Sequence, residues 1–251
     1  MKLHTIKSVK IVVIASSKKY NYNIFWSGKS GCTLLRRLFL FLHEEELSKK
    51  SPKDYNEIDK DFMFDPELEY SLMLTRNPYT RAVSMFTNKM CGRWDHRTLH
   101  LKIPQFSKKV SFEKFLIFLR ENKDCLREVD VHLMRQVDSL LINRKNNTSY
   151  PLDRICLVKL ENFNEDILKF YKSLGSEELT LKVQDFLGQM NKICINKTPR
   201  VESQDFVGSK EYDVETFEFP DYKFFYNESL LDLVYEIYEE DFKLGYDRNF
   251  I

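Results

Sequence analysis

Residues 22–41 read YNIFWSGKSGCTLLRRLFLF, and the fold turns on how this stretch is parsed. Tyr22–Trp26 is an apolar, aromatic run of strand character. Ser27–Gly31 supplies small residues and a lysine, and from Cys32 onward the apolar residues recur at helical spacing. A strand that turns through Gly, Ser and Lys straight into a helix presents backbone N–H groups and a helix N-terminus to an anion, above all a phosphate. Gly28 and Gly31 allow close backbone approach, Ser27, Ser30 and Thr33 carry hydroxyls, and Lys29 adds a mobile charge. Taken alone, the same residues also fit an ordinary strand–helix turn that needs glycine.

The Gly-Lys-Ser triplet invites a kinase or ATPase reading. That motif places an earlier glycine separated by four residues from the Gly-Lys pair, and Asn23 stands there instead. Its magnesium site also wants an Asp after a buried strand, whereas the run Arg154–Lys159 leads to Glu161. A nucleotide-dependent phosphotransferase is therefore the alternative, beside a non-catalytic module that merely binds an anionic partner.

Working outward, Val9–Ser16 pairs naturally with Tyr22–Trp26 as a hairpin or two adjacent strands. Glu69–Thr75 and Arg154–Lys159 read as further buried strands. Helices are expected at about Cys32–Glu46, after Pro78, at Ser111–Arg120 with Ser111 as cap, at Glu161–Leu174 ended by Gly175, at Leu179–Met190 and at Glu228–Phe242. Val129–Asn143 is expected to be helical in part, and Asn146–Tyr150 a turn. Ser48–Pro66, Cys91–Val110 and Ser203–Tyr222 read as polar loops, the second as an excursion over the surface. Strands alternating with helices imply an α/β fold, P-loop-like and three-layered, with a central mostly parallel sheet and helices on both faces.

The bulk properties narrow the function. A chain of 251 residues with 43% hydrophobic content holds a substantial core, as one large domain over residues 1–251. Its net charge of +1 argues against a dedicated nucleic-acid binder. Five scattered cysteines without CxxC pairs signal neither a metal site nor a disulfide framework. The longest early apolar run, Ile11–Ala15, is too short for a signal-peptide core or a membrane span. The expectation is a cytoplasmic location, unless a membrane anchor has been removed.

The second informative segment is Arg76-Asn77-Pro78-Tyr79-Thr80-Arg81-Ala82-Val83-Ser84. Arg76 ends a strand at the edge where open α/β sheets bind ligands, and Ser84 follows about two turns into the next helix. An arginine there clamps a phosphate through charge-assisted bonds. Standing alone, this segment reads as two surface arginines around a helix start.

Together the two segments resemble a known family. KSGCTLLRRL looks like the 5′-phosphosulfate loop of sulfotransferases that use 3′-phosphoadenosine 5′-phosphosulfate (PAPS), and RNPYTRAVSMFTNK looks like their 3′-phosphate segment. The likeness is nearest to Golgi-type carbohydrate sulfotransferases, the chondroitin and dermatan group. It continues through His132-Leu133-Met134-Arg135-Gln136, Leu157–Glu161 with Asp166, Asn196-Lys197-Thr198, and the closing Tyr235–Tyr246. The chain departs from that group at Gly28, where a proline is usual, and at Leu133, which replaces a tryptophan.

The resemblance implies a PAPS-dependent transfer to an acceptor hydroxyl of a carbohydrate, without a metal. Lys29 would contact the bridging oxygen and 5′-phosphate, with Ser27, Gly28, Ser30, Gly31, Cys32 and Thr33 completing the loop. Arg76 and Ser84 would hold the 3′-phosphate, and Lys197 and Thr198 would belong to a loop closing over the nucleotide. The acceptor hydroxyl needs a base. His132 is the first candidate and Glu161 the runner-up, ahead of His43, His96 and His100. The last two lie among Arg93, Arg97 and Lys102, basic residues that could meet an anionic acceptor.

Overall fold

The computed structural model of the chain describes residues 14–43, 64–91, 103, 106, 109–143, 148–190, 201–202, 205–213, 216 and 218–249. Among the described residues two compact units emerge: one from within 14–76 and 136–190, the other from within 77–135 and 201–249. Among the described residues no helix is long and apolar enough to cross a membrane.

The first unit is built on a sheet. Strands β1 (Ile14–Ser17) and β2 (Tyr22–Trp26) are antiparallel. Helix α1 spans Cys32–Leu42. Strand β3 (Tyr70–Thr75) then lies parallel to β2, with Trp26 opposite Leu74. The parallel register brings the carboxyl ends of β2 and β3 to one edge of the sheet. Asn23 fixes the entry to β3 through paired bonds with Asp65: its Nδ2 donates to the Asp65 carbonyl and its Oδ1 accepts from the Asp65 N–H. The residue absent from a nucleotide-loop motif thus has a structural role.

One face of this sheet carries Tyr22, Ile24, Trp26, Leu72, Leu74 and Val158, packed against apolar stripes of the unit's helices, α1 among them. Alternation along the strands produces that face, since side chains i and i+2 point the same way. On the opposite face Phe25 meets Phe64 and Tyr150 at ring distances of 6.0 and 5.4 Å.

The second unit is helical. Asn77 caps helix α2 (Pro78–Met85), accepting from the N–H groups of Tyr79 and Thr80, with Pro78 opening the helix. A π-helical turn, Phe86–Met90, continues it. Strand β4 (Lys109–Ser111) leads into α3 (Phe112–Glu121), capped by Ser111 as expected. A short α4 (Leu126–Val129) follows.

Returning to the sheet unit, β5 (Leu141–Asn143) and β6 (Thr148–Ser149) form a small hairpin, so the Asn146–Tyr150 turn is partly strand. Strand β7 (Cys156–Lys159) then adds parallel to β3, Lys159 opposite Thr75. Helices α5 (Phe163–Ser173) and α6 (Glu177–Met190) pack with α1 on the apolar face. Back in the helical unit, β8 (Glu211–Asp213) pairs with β4, and α7 (Glu228–Phe242) closes the fold.

Three expectations change. Arg154–Lys159 reads as a buried strand, but in β7 only Val158 is fully buried and Cys156 is exposed, with β7 the end of the strand order among the described residues. The Cys91–Val110 excursion does not stay on the surface: Cys91, Ile103, Phe106 and Val110 are core residues. Ser203–Tyr222 likewise contributes Val207, Tyr212 and Phe219 to that core. There Phe86 sits at the centre of edge-on rings from Phe112, Tyr212, Phe219 and Phe225.

Candidate active site

In the sheet unit, the turn from β2 into α1 has two left-handed residues. Lys29 has φ 65° and Gly31, the N-cap of α1, has φ 85°. Glycine suits position 31 because its φ is unfavourable for side chains; a Cβ there would also lie 2.7 Å from Leu160 Cδ1, the end of a flexible side chain that would have to shift. At position 29 a non-glycine pays about 1–2 kcal/mol for its conformation. The strain therefore falls on Lys29, whereas Gly28 does not have a positive φ.

No side chain caps α1 and its first turn holds no acid. The opening N–H groups of such a helix have no intrahelical partners and attract an anion. Thr33 is exposed in that first turn, and Cys32 is half-buried.

Arg76, one residue past β3, reaches this turn. Its Nη1 donates to the Lys29 carbonyl at 3.1 Å. Gln136 ties the same two pieces together. Its Oε1 accepts from Ser30 Oγ and from the Arg76 N–H, each at 2.8 Å, and its Nε2 donates to the Arg76 carbonyl at 2.8 Å. Ser30 gives its single hydroxyl proton to Gln136, so Ser27 Oγ is the donor in the 2.6 Å contact between the two serines. Ser27 and Ser30 are fully buried. Their hydroxyls shape the loop, and the expectation that these side chains donate to a ligand is corrected; their backbone remains at the turn.

Glu161 lies in the 3-10 turn Leu160–Asn162 after β7 and is solvent-exposed, at the same carboxyl edge of the sheet. His43 is a structural residue. Its Nε2 meets Ser17 Oγ at 2.9 Å, its Nδ1 meets the Phe39 carbonyl at 2.8 Å, and its ring stacks on Phe39. Lys197, Thr198, His96, His100, Arg93, Arg97 and Lys102 lie outside the described residues, as does most of the Ser48–Pro66 loop.

The helical unit holds Ser84, half-buried on α2, and His132. His132 Nδ1 is 2.6 Å from Asp130 Oδ1, and the same oxygen accepts the His132 backbone N–H at 2.9 Å. Burial pushes the Asp130 carboxyl up. The hydrogen bonds from the His132 ring and backbone outweigh it, aided by the charges of His132 and Lys89, and hold the group at about 2 against an ordinary 3.8. An ionised carboxylate at that distance keeps the ring proton on Nδ1 and leaves Nε2 as the site that takes or gives a proton.

The Asp130 pairing has a measurable signature. A carboxyl depressed from 3.8 to about 2 contributes ~2 kcal/mol of stability at neutral pH. That contribution is complete above about pH 4 and lost as pH falls through about 2. The urea midpoints of the wild type and Asp130→Asn should therefore differ at pH 7, and the gap should shrink to roughly half by pH 3. A gap independent of pH would contradict the pairing.

Arg81 is not a surface residue. It is fully buried, with Nη2 donating to the carbonyls of Met134 at 2.6 Å and His132 at 3.2 Å. Its Nη1 lies 3.5 Å from Asp241 Oδ2, and its guanidinium lies 5.4 Å from the Tyr238 ring centroid. Sequence reasoning passed over Arg81 as a clamp, Asp130 as the histidine's partner, and Gln136 as the link between loop and strand. The available signals were slight: an arginine as the single charged residue of α2, and an acid two residues before the histidine.

Compared with known proteins, the sequence matches the sulfotransferase family over residues 21–247. No curated protein and no solved structure matches it. The matched span takes in the loop before α1, Arg76 and the segment from Asp130 to Gln136. The chain belongs to the sulfotransferase family.

Proposed function

We propose that the chain moves a sulfonate group from PAPS to an acceptor hydroxyl of a carbohydrate. One observation carries this reading: the Arg76 guanidinium donates to the carbonyl of Lys29, so a strand-end arginine and the lysine loop share one edge of the sheet. A donor with phosphate at two ends fits that pair. The uncapped, acid-free start of α1 suits the 5′ end, and Arg76 suits the 3′ end.

When bound, PAPS supplies an activated sulfonate whose leaving group is a phosphate. In this reading Lys29 and the N–H groups of Gly31, Cys32 and Thr33 stabilise the charge that develops on that phosphate. Arg76 fixes the other end through charge-assisted bonds. Ser84, Lys197 and Thr198 join the donor site on the strength of the resemblance. His132 takes the acceptor's proton at Nε2 while Asp130 keeps the ring oriented. Glu161, exposed at the sheet edge, is the second candidate base.

Calorimetry tests the donor. Adenosine 3′,5′-bisphosphate should bind without metal and more tightly than ATP with magnesium, and Arg76→Ala should weaken it by about tenfold to a hundredfold. Equal or tighter ATP binding would overturn the reading in favour of a phosphotransferase. Labelled PAPS offered with a panel of glycans and small hydroxyl compounds then tests transfer itself. Binding without transfer would point to an anion-binding module.

A further inference from the structure

We infer that Gln136 is a positioning residue that couples recognition of the donor's two phosphate ends, an inference that rests on the PAPS reading above. Gln136 is fully buried and its side-chain amide makes three bonds of 2.8 Å. One goes to the loop, through Ser30. Two go to the main chain of Arg76, one to its N–H and one to its carbonyl. The ring closes on the far side, where Arg76 Nη1 holds the carbonyl of the left-handed Lys29.

The chemistry of the amide makes it suited to this place. One oxygen accepts two donors from separate pieces of chain, while the nitrogen gives a proton to a carbonyl. No other uncharged side chain of this length offers both functions. A buried network of this kind holds its shape only while every member is satisfied. With Gln136 in place, the loop that would meet the 5′-phosphate and the arginine that would meet the 3′-phosphate are set before either is contacted. Without it, ordering them falls to the ligand and weakens binding.

The test is Gln136→Glu, measured by calorimetry with adenosine 3′,5′-bisphosphate, well below the unfolding temperature and beside the wild type at each pH. An ionised Glu keeps the two acceptor bonds but presents oxygen to the Arg76 carbonyl. A protonated Glu restores the donor and mimics the amide. Binding is expected to be about tenfold to a hundredfold weaker than wild type at pH 8, the size that follows when a buried carbonyl loses its donor. The ratio should recover toward one as the pH is lowered to about 5. A residue that only stabilised the fold would change the unfolding midpoint and leave the affinity of folded protein at the wild-type value at both pH values. That result overturns the inference.

Should Gln136→Glu not fold, Ser30→Ala removes one arm of the network and decides the matter. A several-fold loss of bisphosphate affinity supports the coupling, and none overturns it. Failure of the wild type to bind the bisphosphate is a separate outcome, which removes the donor reading itself.

Discussion

Lys29→Ala is expected to slow sulfonate transfer by about a hundredfold to a thousandfold, the range found when one preorganised donor to a developing charge is removed. Ground-state affinity for adenosine 3′,5′-bisphosphate should fall much less, because the backbone donors and Arg76 remain. The backbone at position 29 sharpens the test. Lys29 occupies φ 65°, a conformation that alanine tolerates no better than lysine but glycine adopts freely. Lys29→Ala should therefore leave the unfolding midpoint near wild type. Lys29→Gly should relieve that strain of about 1–2 kcal/mol, less the chain entropy glycine loses on folding, and still lose the same rate. Stability and turnover would then move in opposite directions at one residue, as they do where strain sits at a functional position. Single-turnover assays with labelled PAPS, paired with thermal denaturation, give both numbers. Turnover within threefold of wild type in both variants would remove Lys29 from the chemistry.

Arg81→Ala is expected to destabilise the protein by about 3–5 kcal/mol, the cost of removing one member of a buried ion pair. Arg81 and Asp241 are both fully buried. Arg81 Nη1 lies 3.5 Å from Asp241 Oδ2, and Tyr238 beneath the guanidinium donates its own hydroxyl to the Leu133 carbonyl at 3.0 Å. Removing the guanidinium takes a cation from beside the buried Asp241 carboxylate and frees the carbonyls of His132 and Met134 together. Lysine should not substitute, since it cannot place planar donors on two carbonyls and a carboxylate at once. For a domain whose whole margin is typically about 5–15 kcal/mol, urea unfolding should show the loss as a large drop in midpoint. The double variant Arg81→Met with Asp241→Leu should regain much of it, because an apolar pair replaces two buried charges. Its turnover should stay low, since the segment bearing His132 is still released. A loss below about 1 kcal/mol in Arg81→Ala would mean that the clamp does not hold that segment.

The elements legible in the sequence are those whose signals are local. Tyr22–Trp26 coincides with β2, and Glu228–Phe242 coincides with the last helix. Asn77, Ser111 and Asn227 accept from the N–H groups that begin their helices, so caps announce those starts. Helix α1 ends at Leu42, short of the expected Glu46, where the His43 ring folds back onto Phe39. The three-residue strands β4 and β8 were hidden in segments read as loops. Lys109 pairs with Asp213, about a hundred residues away, and nothing in either short segment names its partner.

For the candidate site the division is similar. Lys29, Gly31 and Arg76 were readable because a phosphate-type turn and a strand-end arginine are contiguous patterns. Gln136 was visible only as one letter of a segment similar to the family's, and its task depends on two residues far away in sequence. Asp130 looks like any acid in a turn until His132 is seen at 2.6 Å. Ser27 and Ser30 look like donors until their burial is known.

By itself, the amino-acid sequence determined the α/β alternation, the strand–turn–helix with its lysine, the capped helix starts and the family. All of these follow from hydrophobic period and local backbone preference. Only the tertiary structure decided that Arg76 reaches the Lys29 carbonyl, that Gln136 joins them, and that Arg81 is buried on Asp241. Those facts require chain segments tens to hundreds of residues apart to meet, and burial and hydrogen-bond partnership exist only once they do.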